Sequence, residues 1–252
     1  MLDDSSKMTR IEFDPSYGGD ALYAPNSPLR EICGDIIPWD IGGPQPVLME
    51  IEESGAFHGK VLDLGCGTGE NSRYLAGRGH QVTAVDTSPN AIRRATEQTT
   101  ALGLDVRFIV SDAITLEGLD ADARFDTVID SALYHGLEPE QRKRYLATLH
   151  RVSTPGATLH VICFSDLVPK EIAAPNRCSE EELRSTFAGA GWSISGLKHA
   201  AYTVSPRFSR DILHRIVDVL HVPGGREFVD GLSADEQNRL LLPVWSVTAD
   251  RV

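Results

Sequence analysis

The chain has 252 residues, 41% of them hydrophobic, which is enough to bury one substantial core. Its 24 Lys and Arg against 36 Asp and Glu give a formal net charge of −12, which argues against DNA or RNA as a partner because phosphate contacts need clustered cations. No apolar run approaches about 18 residues, and Met1-Leu2-Asp3-Asp4 lacks a basic start with an apolar core, so a cytoplasmic protein without a membrane span or secretory signal is predicted.

In chain order, a polar stretch of about 12 residues opens the sequence. Residues 13 to 57 then form a segment ahead of the domain predicted over 58–252. This segment holds Tyr17 and Tyr23, the string Pro38-Trp39-Asp40-Ile41-Gly42-Gly43-Pro44-Gln45-Pro46, and a helix around Val47 to Ser54. Next comes Val61-Leu62-Asp63-Leu64-Gly65-Cys66-Gly67-Thr68-Gly69, an apolar strand running into three glycines at alternate positions. Glycine is needed where backbone takes positive φ or approaches a ligand, and such a strand-to-helix turn is the nucleotide end of an open parallel sheet.

The spacing decides which nucleotide. The dinucleotide fingerprint needs a third glycine at position 70, where Glu70 stands, and a P-loop needs Lys-Ser/Thr where this chain has Glu70-Asn71. A turn flanked by Asp63 and Glu70 repels pyrophosphate and suits an adenosine that carries a cationic sulfonium, S-adenosylmethionine. Strand-like Gln81 to Asp86 follows, with Asp86, 17 positions after Gly69, placed to accept from ribose hydroxyls. Thr87-Ser88-Pro89 then caps a helix carrying Ala91, Ile92, Ala95 and Leu102. Val106 to Val110 leads into Ser111-Asp112-Ala113, and Phe125 to Ser131 ends in Asp130-Ser131. Ligands of open α/β sheets lie outside the carboxyl ends of the strands, so Asp63, Asp86, Asp112 and Asp130 are expected around one crevice, with Asp112 toward the adenine amino group.

Taken together, DLGCGTG, AVDTSP, SDA and FDTVIDS resemble the class I S-adenosylmethionine-dependent methyltransferases over about residues 60 to 165. The upstream PWDIGGPQP string resembles the thiopurine and halide/thiol branch of that family, including bacterial heterocyclic-toxin (hydroxyquinolone-type) methyltransferases. The resemblance implies an α/β, doubly wound Rossmann-like sheet of seven strands in the order 3-2-1-4-5-7-6, the last antiparallel. It also implies a lid over residues 13–39 with aromatic residues near the sulfonium, Tyr17, Tyr23 and Trp39 being the candidates, an attraction of about 0.5 to 2 kcal/mol for a cation over an aromatic face. The cofactor site it implies comprises Tyr23, Trp39, Asp63, Gly65, Cys66, Gly67, Thr68, Gly69, Asp86, Thr87, Ser88, Asp112, Ala113, Asp130 and Ser131. The acceptor site comprises Tyr17, Tyr134, His135 and Phe164.

Farther along, Ser179-x-x-Glu182 predicts a capped helix, and strands are predicted at Trp192 to Thr203 and Pro243 to Asp250. Between them lies an insert over about 205–242 with an apolar helical stripe, Ile212, Leu213, Ile216, Val217 and Leu220. A break follows at Pro223-Gly224-Gly225, and a second short helix is predicted from Ser233-x-x-Glu236. Cys33, Cys66, Cys163 and Cys178 show no zinc spacing, so no metal is expected, and Cys66 and Cys163 read as packing residues.

Methyl transfer from a sulfonium is an in-line displacement in which alignment in a dry cavity can supply much of the rate. A hydroxyl acceptor can still need a base, and His135, in the loop after the fourth strand, is the candidate catalytic residue. The expected activity is methylation of a heteroatom, oxygen first, on a small aromatic or heterocyclic acceptor, with S-adenosylhomocysteine as product. Thiols or thiopurines are the alternative and halide is disfavoured. A nicotinamide oxidoreductase and a non-catalytic sensor of the cofactor are the competing classes, and a monomer or homodimer is expected.

Overall fold

The computed structural model describes residues 37–169, 177–219 and 221–252. Tyr17, Tyr23, Cys33 and Leu220 lie outside the described residues, as does most of the expected lid.

The elements follow in the order α1 (Pro46–Glu53), β1 (Lys60–Leu64), α2 (Glu70–Gly77), β2 (Gln81–Asp86), α3 (Pro89–Ala101), β3 (Val106–Val110) and β4 (Phe125–Ser131). They continue with a 3₁₀ turn (Tyr134–Gly136), α4 (Pro139–Val152), β5 (Ser153–Phe164), α5 (Glu180–Gly189), β6 (Trp192–Thr203), α6 (Arg210–Val219), α7 (Gly225–Gly231) and β7 (Leu241–Arg251). The strands form one sheet in the order β3-β2-β1-β4-β5-β7-β6. The pairs from β3 to β5 are parallel, and β7 runs antiparallel to both neighbours. The architecture matches the order expected from the resemblance.

Both faces of the sheet are covered, and the strands show it in alternation. Leu62 and Leu64, Leu159, Val161 and Cys163, and Trp245, Val247 and Ala249 face a core with Tyr145, Leu149 and Phe187 of α4 and α5. Val61, Ile162, Leu242 and Val244 face the other way, onto Leu48 and Ile51 of α1 and Leu213 and Val217 of α6. A period of two along each strand therefore feeds two apolar layers, as a doubly covered sheet requires.

Local chemistry sets the helix starts. Ser88 accepts from the Ala91 N–H at 3.1 Å, ahead of Pro89 at the first helical position. Ser179 accepts from the Glu182 N–H at 3.2 Å, but the reciprocal half of the expected capping box is missing, because the Glu182 carboxylate instead pairs with Arg142 at 2.7 Å. A reciprocal box does form at α4, between Glu138 and Gln141.

One expectation for the insert is corrected. The break at Pro223-Gly224-Gly225 does fall between α6 and α7, with Gly224, at φ +66, capping the start of α7. No helix begins at Ser233: Asp235 Oδ1 accepts from the N–H groups of Gln237 at 3.0 Å and Arg239 at 2.8 Å, so the side chain organises a turn that competes with a helix. Among the described residues no helix is long and apolar enough to cross a membrane.

Candidate active site

The glycine turn is built by close packing. Gly65, Gly67 and Gly69 have φ of +66, +54 and +83, a region costing an L side chain about 1–2 kcal/mol. A Cβ on Gly65 would lie 3.0 Å from Leu133 Cβ, and one on Gly69 3.0 Å from Ala95 Cβ. The turn is tied to β2 through the N–H groups of Gly65 and Cys66, which donate to Val85 O at 2.8 and 3.1 Å. The Gly67 N–H donates to Asp86 Oδ2 at 2.9 Å, and Asp86 Oδ1 accepts from the Ser88 N–H at 2.8 Å. Asp86, expected to accept from ribose hydroxyls, thus also fixes the turn. The Thr68 hydroxyl donates to Glu70 at 2.8 Å, and Arg73 pairs with the same carboxylate at 3.2 Å.

Two carboxylates lie deeper. Asp63 is 1% exposed and accepts from Ser72 Oγ at 2.5 Å. Burial, joined by the charges of Asp130, Asp86 and Glu70, raises its carboxyl to about 7 against the Ser72 hydrogen bond. Asp130, also 1% exposed, accepts at Oδ1 from the N–H groups of Leu133 (2.9 Å) and Tyr134 (3.1 Å), and at Oδ2 from Tyr145 Oη (2.7 Å). Burial raises it to about 6, with Tyr145 and the two backbone donors opposing. Both its oxygens hold the protein, so Asp130 staples the loop after β4. Asp112 is exposed; its Oδ1 accepts from Ile114 and Thr115 N–H at 2.6 and 3.2 Å. Thr87 is exposed, whereas Ala113 packs in the core and the buried Ser88 hydroxyl is used as a helix cap.

The loop after β4 departs from what its sequence suggested. Ala132 takes φ +79 while its N–H holds Ile162 O at 2.9 Å, a strained turn of a kind that clusters at functional sites. The turn points neighbouring residues oppositely. Tyr134 is fully buried, with the Arg142 guanidinium 4.9 Å from its ring centroid and the Tyr145 and Phe187 rings beside it. It cannot line an acceptor site, because its ring belongs to the core. His135 is 9% exposed, and its ring stacks on Phe164 with centroids 4.0 Å apart. The Phe164 N–H donates to His135 Nδ1 at 3.3 Å. Burial, with a smaller contribution from Arg142, lowers its pKa to about 3. Nδ1 accepts from the Phe164 N–H, so the neutral ring carries its proton on Nε2, and burial that holds the ring neutral weighs against the general-base role expected of His135.

Sequence reading missed several partners. Gln45 bridges the Pro-Trp segment to β6: its Nε2 donates to Thr203 O at 3.0 Å, its Oε1 accepts from the Thr203 N–H at 3.1 Å, and its own N–H donates to Asn71 Oδ1 at 3.1 Å. The Ser205 N–H donates to Pro38 O at 2.6 Å, and Trp39 beside it is 37% exposed. Tyr202 reaches Ser131, with 3.5 Å between the hydroxyl oxygens.

A tight glycine turn beside Asp63, Glu70 and Asp86 fits an uncharged adenosine with a cationic tail: burial does most to raise Asp63, and the smaller repulsion from Asp130, Asp86 and Glu70 would be relieved by a positive ligand. Among the described residues no His, Cys, Asp or Glu group could hold a metal ion. A methyltransferase-domain family model matches residues 61–156. A Mycobacteroides abscessus protein named 2-heptyl-1-hydroxyquinolin-4(1H)-one methyltransferase is 38% identical over 190 residues, 75% of this chain and 79% of that protein. The chain belongs to the S-adenosylmethionine-dependent methyltransferases. The methyltransferase is also similar to a solved structure reported for the conversion of a disulfide bond into a thioacetal group during echinomycin biosynthesis, at TM-score 0.68 and 33% identity, with 87% of each chain covered. Its fold is shared with the magnesium protoporphyrin IX methyltransferase of Synechocystis PCC 6803 solved with bound S-adenosylmethionine, at TM-score 0.53 and 18% identity over 82% of this chain and 76% of that one.

Proposed function

We propose that this methyltransferase moves the methyl group of S-adenosylmethionine to an acidic oxygen, phenolic or N-hydroxyl, of a small aromatic or heterocyclic acceptor. The observation that carries the reading is His135, whose Nδ1 is engaged by the Phe164 N–H and whose pKa is lowered to about 3. On this reading the acceptor arrives already ionised, which an acidic hydroxyl or a thiol does near neutral pH and an ordinary alcohol does not. Similarity to a hydroxyquinolone methyltransferase supports the same class.

When bound, the cofactor supplies an activated methyl: the acceptor oxygen's lone pair forms the O–C bond while the C–S bond breaks and its electron pair stays on sulfur. The chain's own work is alignment and exclusion of water. On this reading the turn at Gly65, Gly67 and Gly69 admits the cofactor, Asp86 and Asp112 receive its ribose and adenine, Asp63 and Glu70 supply the negative field for the cationic end, and Trp39, 37% exposed in the free chain, covers it. His135 offers Nε2–H to the acceptor as a donor, and Phe164 stacks beneath it.

The test is S-adenosylhomocysteine release with purified protein against N-hydroxyquinolones, phenols, aromatic thiols and iodide, comparing wild type with His135→Ala. Oxygen acceptors turning over in both proteins, with a reduced rate in the variant, is the expected result. Turnover of thiols alone, or tight cofactor binding with no turnover, overturns the reading in favour of S-methylation or a sensor.

A further inference from the structure

Tyr202 belongs to no motif, yet its hydroxyl reaches across the sheet to the carboxyl end of β4. It lies at the carboxyl end of β6 and is 6% exposed. The strand order puts β7 and β5 between β6 and β4, and its ring shares the layer of Ile129, Ile162 and Val244. Its oxygen crosses those strands to lie 3.5 Å from Ser131 Oγ, at the end of β4 beside the strained Ala132. The chain here cannot swing away, because Gln45 grips both backbone groups of Thr203.

A phenol carries one hydrogen and two lone pairs, and a serine hydroxyl the same. The single contact between them is at the long limit of a hydrogen bond and uses one hydrogen at most, so the pair keeps a donor for a third oxygen. Position says whose. The glycine turn, Asp86 and Asp112 occupy the ends of β1 to β3, whereas His135, Phe164 and Tyr202 come from the loop after β4, from β5 and from β6. Ligand crevices open at the switch point, here between β1 and β4, so a cofactor over the first half presents its reactive end there, and an acceptor approaches from the half holding Tyr202. Burial, with the charges of Asp130, Glu70 and Asp63, pushes the Tyr202 hydroxyl up to about 12 despite its bond to Ser131, so it stays a donor through the neutral range.

We propose that Tyr202, with Ser131 as its hydroxyl partner, binds the anionic oxygen of the acceptor through a donated hydrogen bond and so selects oxygen acceptors over sulfur ones. The proposal rests on the O-methylation reading above and adds the residue that enforces it. An O–H···O⁻ bond is short and strong, whereas sulfur is a weak, more distant acceptor; a thiolate gains little from the same hydroxyl.

The experiment is steady-state kinetics of Tyr202→Phe and Ser131→Ala on an N-hydroxyquinolone, a nitrophenol and an aromatic thiol at saturating cofactor, with S-adenosylmethionine affinity measured by calorimetry and folding by thermal melt. Tyr202→Phe keeps the ring. It is expected to hold cofactor affinity, to lose roughly 10- to 100-fold in kcat/KM on oxygen acceptors, and to leave any thiol turnover within about twofold. If Tyr202→Phe melts early, Ser131→Ala carries the test at saturating cofactor, with a smaller loss, larger on oxygen than on thiol acceptors, expected; its S-adenosylmethionine affinity is read alongside because Ser131 also belongs to the expected cofactor site. An active wild type with unchanged oxygen kinetics in the folded variant overturns the proposal alone, as does a loss of cofactor affinity without a change in acceptor kinetics. A wild type that turns over only thiols overturns the functional reading and this proposal with it.

Discussion

Replacing Asp63 by Asn isolates the electrostatic cost that the site carries for its cofactor. Asn keeps the shape and an oxygen for the Ser72 hydroxyl, which reaches Asp63 at 2.5 Å, but removes a buried charge. The carboxyl is raised from 3.8 to about 7 in the folded chain, so the folded state holds a proton that the unfolded chain releases. The associated stability is fully present below 3.8 and is lost progressively as the pH rises to about 7 and beyond. At roughly 1.4 kcal/mol per pH unit that window amounts to about 4 kcal/mol at most, a large share of the 5–15 kcal/mol typical of a folded domain, on the order of which this chain is expected to lie. Cofactor-free Asp63→Asn should therefore gain on wild type between pH 5 and pH 8.5 in denaturant titrations, by about 2–4 kcal/mol, while its affinity for S-adenosylmethionine falls about tenfold or more. Parallel stability profiles for the two proteins across that range would refute the reasoning.

Other predictions test separate joints of the structure. Wild-type kcat/KM on an acidic oxygen acceptor should show no histidine inflection between pH 5 and 8, since His135 is lowered to about 3; an inflection near 6.5 that vanishes in His135→Ala would restore the base. Arg142→Met strips the 2.7 Å pairing from Glu182 and the 3.2 Å donor from Tyr134 O, and thermal denaturation should show a loss of about 3 kcal/mol. Gly69→Ala meets a φ of +83 and Ala95 at 3.0 Å, so calorimetry should show weakened cofactor binding and melting a loss of about 1–3 kcal/mol. Gln45→Leu leaves the N–H and C=O of Thr203 without their partner and should cost about 2 kcal/mol, with acceptor KM raised more than cofactor Kd.

The parts legible in the sequence were those where one local segment carries its own physics. The glycine turn, the carboxylate ending β2 and the Ser88-Pro89 helix start each occupy a few consecutive residues, and the strand order followed from the family resemblance they support. What stayed hidden depends on pairing across the fold. Tyr202 and Ser131 are far apart in the chain and separated by two strands in the sheet, so neither predicts the other. Tyr134 and His135 are adjacent and both buried, and no local pattern tells that the Tyr134 ring joins the core while His135 stacks on Phe164. Asp130 reads as a ligand because it ends a strand, but its oxygens meet Leu133, Tyr134 and Tyr145, the last from a helix that no local pattern ties to it. The Ser233 helix failed because Asp235 bonds its own backbone neighbours, a choice that capping patterns alone do not arbitrate.

The most direct test of the central claim is product analysis after incubation with methyl-labelled S-adenosylmethionine and an N-hydroxyl heterocycle, the labelled carbon located by NMR and mass spectrometry. The account predicts one S-adenosylhomocysteine per methylated product, with the label on oxygen. A label on sulfur in a competing thiol while the N-hydroxyl compound returns unchanged, or cofactor bound without any product, would contradict it.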